Sequence, residues 1–75
     1  MRQKILKLLK DINPEILDDD SILLVDNDFI DSFGIANLVG GIEEEFKIEI
    51  DGEDVLPENF NTIAKIEALI QKYTK

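Results

Sequence analysis

The sequence of 75 residues contains neither cysteine nor histidine. Without cysteine there is no disulfide framework and no thiolate metal site, and without histidine the commonest general base and imidazole metal ligand are missing. The usual thiol nucleophile is excluded as well. The composition therefore argues against a free-standing enzyme, and any thioester chemistry would require sulfur on an attached group.

Long apolar runs are also lacking, so the sequence predicts no segment that spans a membrane. Near the N-terminus, apolar residues alternate with lysines instead of forming the block typical of a signal peptide. A chain of this length accommodates one domain, and its 44% hydrophobic residues favour folding over disorder. We expect a single domain, residues 1–75, of a monomeric cytoplasmic protein.

Basic residues are scarce in the middle of the chain. All of the 17 acidic residues except Glu67 lie between Asp11 and Glu58, where Lys47 is the only one of the 8 basic residues, and the net charge is -9. Such a surface repels nucleic acid and anionic lipid and accelerates association with basic proteins. Solubility alone explains the acidity equally well, so recognition needs a second signal.

Two aspartate-rich stretches raise the question of calcium. An EF-hand loop that begins at Asp26 would place Ile30 at position 5 and Asp31 at position 6, where glycine is required. A loop that begins at Asp51 would place Val55 and Leu56 there instead. The spacing therefore argues against a calcium site, and no metal ligand is predicted.

The apolar periodicity predicts helices over Arg2–Ile12, Ser32–Phe46 and Ile63–Tyr73, the last of them capped by Asn61-Thr62. A one-turn helix is expected over 51–56, ending before a proline. The connection over 15–30 is rich in apolar residues, so it must pack across the fold. These features predict an all-α fold: a small four-helix bundle of three longer helices and one short helix, with a long loop between the first two.

The second helix has two different faces when residues advance by about 100° each. Its predicted buried face comprises Ile35, Leu38, Val39, Ile42 and Phe46. Its predicted exposed face comprises Phe33, Ala36, Asn37, Gly40, Glu43 and Glu44. Gly40 and Gly41 cost about 1 kcal/mol each relative to alanine in a helix. Either another helix or a partner must therefore approach closely there.

Ser32 lies where the long loop becomes this helix, and it is one of only two serines in the chain. A serine at a helix start is ordinarily an N-cap that accepts a backbone hydrogen bond. Here Asp31 precedes it, Phe33 follows it and an acidic helix continues from it. A phosphodiester on Ser32 would also lie at the positive end of the helix dipole. The setting leaves two interpretations open, a helix cap and a site of modification.

At these residues the sequence resembles the acyl carrier protein family, which includes peptidyl and D-alanyl carriers. Asp31-Ser32-Phe33 matches the family's Asp-Ser-Leu core. The likeness continues through Leu38, the stretch over 42–46, Ile50 and the stretch over 60–63, and it covers essentially the whole chain. A bare tripeptide is weak, but its position in an acidic helical chain of this length makes the resemblance specific.

The resemblance implies that Ser32 receives 4'-phosphopantetheine from coenzyme A through a separate, magnesium-dependent phosphopantetheinyl transferase, with Asp31 contributing to transferase recognition. The arm's thiol would carry an acyl or aminoacyl group as a thioester. The implied partner-binding residues are Phe33, Ala36, Asn37, Gly40, Glu43 and Glu44. The implied partners are a loading ligase or acyltransferase and downstream biosynthetic enzymes with basic docking patches.

Some positions depart from the family pattern. Phe33-Gly34 follows the serine, Asp28-Phe29 stands where a glycine is usual, and Asn37 and Gly40 replace a commoner acid and a bulky apolar residue. These departures argue against a housekeeping role in fatty-acid synthesis and favour a dedicated set of partners. The alternative from another class is an unmodified acidic helical adaptor that binds a basic protein.

Overall fold

A computed structural model describes residues 1–74, and all of the regular elements in that range are helical. The three α-helices are α1, Arg2–Ile12; α2, Ser32–Phe46; and α3, Ile63–Tyr73. Their bounds match the three longer helices predicted from the sequence. No helix within residues 1–74 has the length and apolar character needed to cross a membrane.

The predicted one-turn helix over 51–56 is wrong in extent. Two short 3₁₀ helices, Gly52–Asp54 and Pro57–Phe60, replace it. The residue before Pro57 is Leu56, which proline forces into extended backbone, with φ -115° and ψ 142°. The first 3₁₀ helix, capped by Asp51, already ends before Val55, whose backbone is not helical, with φ -84° and ψ 72°. The described chain therefore has three α-helices and two 3₁₀ turns instead of four helices.

The core is formed by the apolar faces of all three helices together with residues from the connections. The buried apolar side chains are Ile5 and Leu9 of α1, Ile35, Leu38 and Ile42 of α2, Ile63, Ile66, Leu69 and Ile70 of α3, and Ile16, Leu24, Ile30, Ile50 and Phe60 of the connections. The α2 positions agree with the predicted buried face, on which Val39 and Phe46 are half-buried. Residues three or four apart share one face of a helix, which explains the match.

The long loop between α1 and α2 packs across the fold as predicted. Ile16, Leu24 and Ile30 insert into the core, with exposures of 0%, 1% and 2%. Within the loop, Asp19 accepts hydrogen bonds from the backbone N–H and the hydroxyl of Ser21, which stabilise a short turn. The loop therefore has a defined path although it contains no α-helix.

Asn61 fastens this loop to the start of α3. Its Oδ1 accepts hydrogen bonds from the backbone N–H groups of Val25 and Asp26, at 3.0 and 3.2 Å. Its Nδ2 donates to the Asp26 carboxylate, and its carbonyl oxygen accepts from the N–H of Leu24 at 2.7 Å. Thr62, and not Asn61, is the N-cap of α3, with its hydroxyl accepting from Lys65 N–H. One asparagine therefore pairs backbone groups that the loop itself leaves without partners.

Arg2 links three parts of the fold. Its guanidinium donates to Asp18 and Asp20 of the long loop and to Glu67 of α3. These hydrogen bonds, with that to Asp18 the largest contribution, raise the pKa of Arg2 further above its usual range. Asp20 also accepts from the N–H of Ala64 at the start of α3. The N-terminus of α1 is therefore held against the loop and α3.

The C-terminal end of α3 is tied to the first 3₁₀ helix through Asp54. Its carboxylate accepts hydrogen bonds from the Tyr73 hydroxyl and the Lys72 ammonium group. The bond from Tyr73, followed by that from Lys72, holds the pKa of Asp54 below its usual value. The same bonds raise the pKa of Tyr73 and of Lys72. All of these shifts favour the charge states that prevail at neutral pH.

Adjacent glycines in α2 have different surroundings. A Cβ added at Gly41 would lie 3.0 Å from Cδ2 of Leu8, so α1 approaches α2 closely at this position. A Cβ added at Gly40 would meet nothing within 4 Å. Close helix packing therefore accounts for Gly41, whereas no contact within the described residues accounts for Gly40.

We expect Gly40→Ala to raise the free energy of unfolding by about 1 kcal/mol, because alanine is the better helix former and the site is open. Gly41→Ala gains the same propensity but must displace Leu8, so its free energy of unfolding should be lower than that of Gly40→Ala. Urea unfolding of the two variants checks this difference. Equal stabilisation would contradict close packing of α1 on α2.

We expect Asn61→Ala to lower the free energy of unfolding by about 1–3 kcal/mol, because two backbone N–H groups lose their acceptor. Asn59→Ala is the matched control, since Asn59 is also half-buried but donates a single side-chain bond, to the Asp54 carbonyl. Urea unfolding should show the larger loss for Asn61. Amide hydrogen exchange should show lost protection at Val25 and Asp26; equal losses in the two variants would refute the anchoring role.

Candidate functional site

Ser32 is the first residue of α2, and the preceding aspartate caps the helix. Asp31 has extended backbone, with φ -109° and ψ -171°, and its Oδ1 accepts the Gly34 N–H at 2.8 Å. This is the geometry of an N-cap residue. The interpretation of Ser32 itself as the cap is therefore wrong, because Asp31 performs that function.

The Ser32 side chain is left accessible by this arrangement. Ser32 is exposed, and its hydroxyl makes no hydrogen bond with any residue of the described part of the chain. It lies in the first turn of α2, where backbone N–H groups lack intrahelical partners and the helix dipole is positive. A phosphate ester on Ser32 would therefore break no existing bond and would lie in a favourable electrostatic environment.

The position of Ser32 is set by close packing beneath it. A Cβ added at Gly34 would lie 3.3 Å from both Ile12 Cγ2 and Ile30 Cβ, so only glycine fits without displacing them. Upstream, the Asn13 side chain donates to the Phe29 carbonyl at 3.1 Å. The end of α1 and the end of the long loop together hold the start of α2.

Asp28, four residues before Ser32, has a left-handed backbone with φ 61°. Glycine adopts this conformation at least cost, and aspartate tolerates it better than most residues. The resemblance to carrier proteins places a glycine near this point. Aspartate here is therefore compatible with the same turn of the loop.

The residues predicted for the partner-binding face differ in their accessibility. Phe33 is 81% exposed, the highest value among the exposed large hydrophobic side chains. Ala36, Asn37, Gly40 and Glu44 are also exposed. Glu43 is half-buried, and its carboxylate accepts the Ile50 N–H at 2.9 Å. Glu43 thus also helps to hold the segment after α2. No sequence signal indicates this contact between two residues seven positions apart.

A groove of about 470 Å³ runs beside the start of α2. It is lined by Leu8, Asp11 and Ile12 of α1, by Asp31, and by Phe33, Gly34 and Asn37 of α2. The part of the groove formed by Leu8, Asp11 and Ile12 was not predicted from the sequence, because apolar periodicity indicates the faces of α1 but not which helix lies beside them. Within residues 1–74, no group of three or more acidic side chains is arranged to hold a metal ion.

Replacement of the two residues at the helix start should affect stability to different extents. Asp31→Ala removes the cap and should lower the free energy of unfolding by about 1 kcal/mol. Ser32→Ala removes an exposed hydroxyl that bonds to nothing described and should change it by less than about 0.5 kcal/mol. Urea unfolding of both variants distinguishes the two roles. A larger loss for Ser32→Ala would show that the serine caps the helix.

Comparison with known proteins identifies the family of the chain. A family model described as phosphopantetheine attachment site matches residues 1–70, a range that includes the whole of α1 and α2. No curated protein and no solved structure gave a significant match. The chain belongs to the family of proteins with a phosphopantetheine attachment site, whose members carry covalently bound 4'-phosphopantetheine.

Proposed function

We propose that Ser32 is the residue that bears 4'-phosphopantetheine, and that the protein carries an acyl or aminoacyl group as a thioester and delivers it to partner enzymes. The single observation that supports this most is the accessible Ser32 hydroxyl at the N-terminus of α2, freed by the Asp31 cap. The family assignment supplies the type of group, and the geometry favours this serine. The other serine, Ser21, already donates its hydroxyl to Asp19.

Attachment uses coenzyme A as the donor and a phosphopantetheinyl transferase as the enzyme. The Ser32 Oγ transfers its proton to a base of the transferase and forms a bond to the phosphorus that bears the pantetheine chain. The phosphoanhydride bond of coenzyme A breaks, and adenosine 3',5'-bisphosphate leaves. The Asp31 carboxylate lies beside the reacting hydroxyl in sequence and contributes to recognition by the transferase.

The bound group supplies the terminal thiol that this cysteine-free chain lacks. The chain's own residues position the group and present it, so the protein acts as a tether that raises the effective concentration of its cargo near each enzyme. Carrier domains of this family are typically non-catalytic. The absence of histidine and cysteine is consistent with such a role.

The exposed face of α2 supports docking to basic patches on partner enzymes. Phe33 offers an accessible aromatic ring, and Glu44 offers a carboxylate further along the helix. Gly40 leaves open space in which a partner's backbone or side chain can approach the helix. The net charge of the whole chain, -9, accelerates its encounter with basic partners.

Incubation of the unmodified protein with coenzyme A, magnesium and a broad-specificity transferase should add the mass of one phosphopantetheine. Ser32→Ala should prevent the gain, because the only proposed acceptor is removed. Intact-mass spectrometry measures the gain, and peptide mapping locates it.

Ser21→Ala is the matched control and should be modified as fully as the native protein. No mass gain in the native chain, or a gain that persists in Ser32→Ala, would overturn the assignment. Circular dichroism of each variant establishes that the helices are intact.

A further inference from the structure

The groove between α1 and the start of α2 combines an apolar floor with acidic groups. Leu8 and Ile12 contribute apolar surface, whereas Asp11 and Asp31 contribute carboxylates. No lysine or arginine lines it. A cavity of this composition favours a ligand that has a hydrocarbon stem and a positive charge.

Two of the lining side chains extend toward solvent without an internal role. Asp11 is exposed, and its carboxylate forms neither an ion pair nor a hydrogen bond with residues 1–74. Phe33 leaves 81% of its surface exposed at the same groove. An aromatic face attracts a cation, and the attraction strengthens when both groups leave water. Both side chains are therefore available to a partner without the loss of a contact that the fold needs.

The proposed attachment residue lies outside the groove. Relative to Ser32, the groove residues Phe33, Asn37 and Gly34 lie about 100°, 140° and 200° around the helix axis at about 100° per residue. The Ser32 side chain therefore leaves the helix in a different direction, and Ser32 does not line the groove. The groove remains free while an enzyme acts on the serine.

From this composition and position we infer that the groove receives a basic side chain of the phosphopantetheinyl transferase, so that the docking surface extends from α2 onto α1. The hydrocarbon stem packs on Leu8 and Ile12, and the cationic end meets the Asp11 carboxylate and the Phe33 ring. This inference rests on the proposed function, since it assumes that a transferase acts on Ser32. It adds Asp11 to the residues that determine recognition.

The test is a steady-state measurement of phosphopantetheine transfer with the carrier as the varied substrate. We expect Asp11→Lys to raise KM by at least about tenfold and to change kcat by less than about twofold, because it opposes docking and leaves the reacting hydroxyl in place. Glu53→Lys is the matched control: it makes the same change in net charge at an exposed site in the first 3₁₀ helix, and should raise KM by less than about twofold.

A second measurement examines whether Asp11 and Phe33 meet the same partner group. In a double-mutant cycle of Asp11→Asn and Phe33→Ala, the combined increase in KM should be smaller than the product of the single increases. Circular dichroism establishes that each variant is folded.

The outcomes separate the two proposals. An unchanged KM for Asp11→Lys, equal increases for Asp11→Lys and Glu53→Lys, or independent effects in the cycle would overturn the groove inference while leaving the carrier function intact. A native protein that gains no phosphopantetheine would instead overturn the proposed function.

Discussion

The hydrogen bonds of Asn61 to the long loop are the interaction on which the presentation of Ser32 depends. The loop joins α1 to α2 without an α-helix of its own, and although turns within it pair several of its backbone groups, three consecutive N–H groups take their acceptors from outside the loop. Asn61 supplies them at Leu24, Val25 and Asp26. With Leu24 held in the core, the chain continues to Ile30, whose burial sets where α2 begins. The position of Ser32 thus depends on contacts made by a residue 29 positions later in the sequence.

Next to Ser32, Asp31 and Gly34 have separate structural roles. Asp31 takes the capping bond that serine commonly makes, so the Ser32 hydroxyl is available without a stability cost. Gly34 allows Ile12 and Ile30 to pack directly beneath the first turn. Apolar packing thus holds the start of α2, and the Asp31 cap leaves the Ser32 hydroxyl exposed. The modification proposed for Ser32 requires a hydroxyl that is both held in place and accessible to an enzyme.

Charge on the surface of a protein influences its association with partners at long range and at short range in different ways. The overall charge attracts basic proteins from a distance but cannot distinguish among them, because screening averages separated charges over about 8–10 Å. Discrimination requires groups that meet a partner at short range. In the proposed function such groups come from the exposed face of α2 and the groove beside it, with Phe33 belonging to both. Gly40, which has a cost of about 1 kcal/mol in a helix and no contact within the described chain, is consistent with a surface shaped for an approaching partner.

The bounds of α1, α2 and α3 and the buried face of α2 were determined by the sequence alone, because apolar spacing and capping residues act within a few positions of one another. The position of Asp31-Ser32 at the start of a helix was likewise predicted from neighbouring residues alone. Only the tertiary structure decided that Asp31 and not Ser32 is the cap, and that two 3₁₀ turns replace the fourth helix. It alone revealed the contact of Glu43 with Ile50, the anchoring by Asn61 and the groove shared by Asp11 and Phe33. Each of these depends on backbone direction or on the approach of residues distant in sequence, and periodicity carries no information about either.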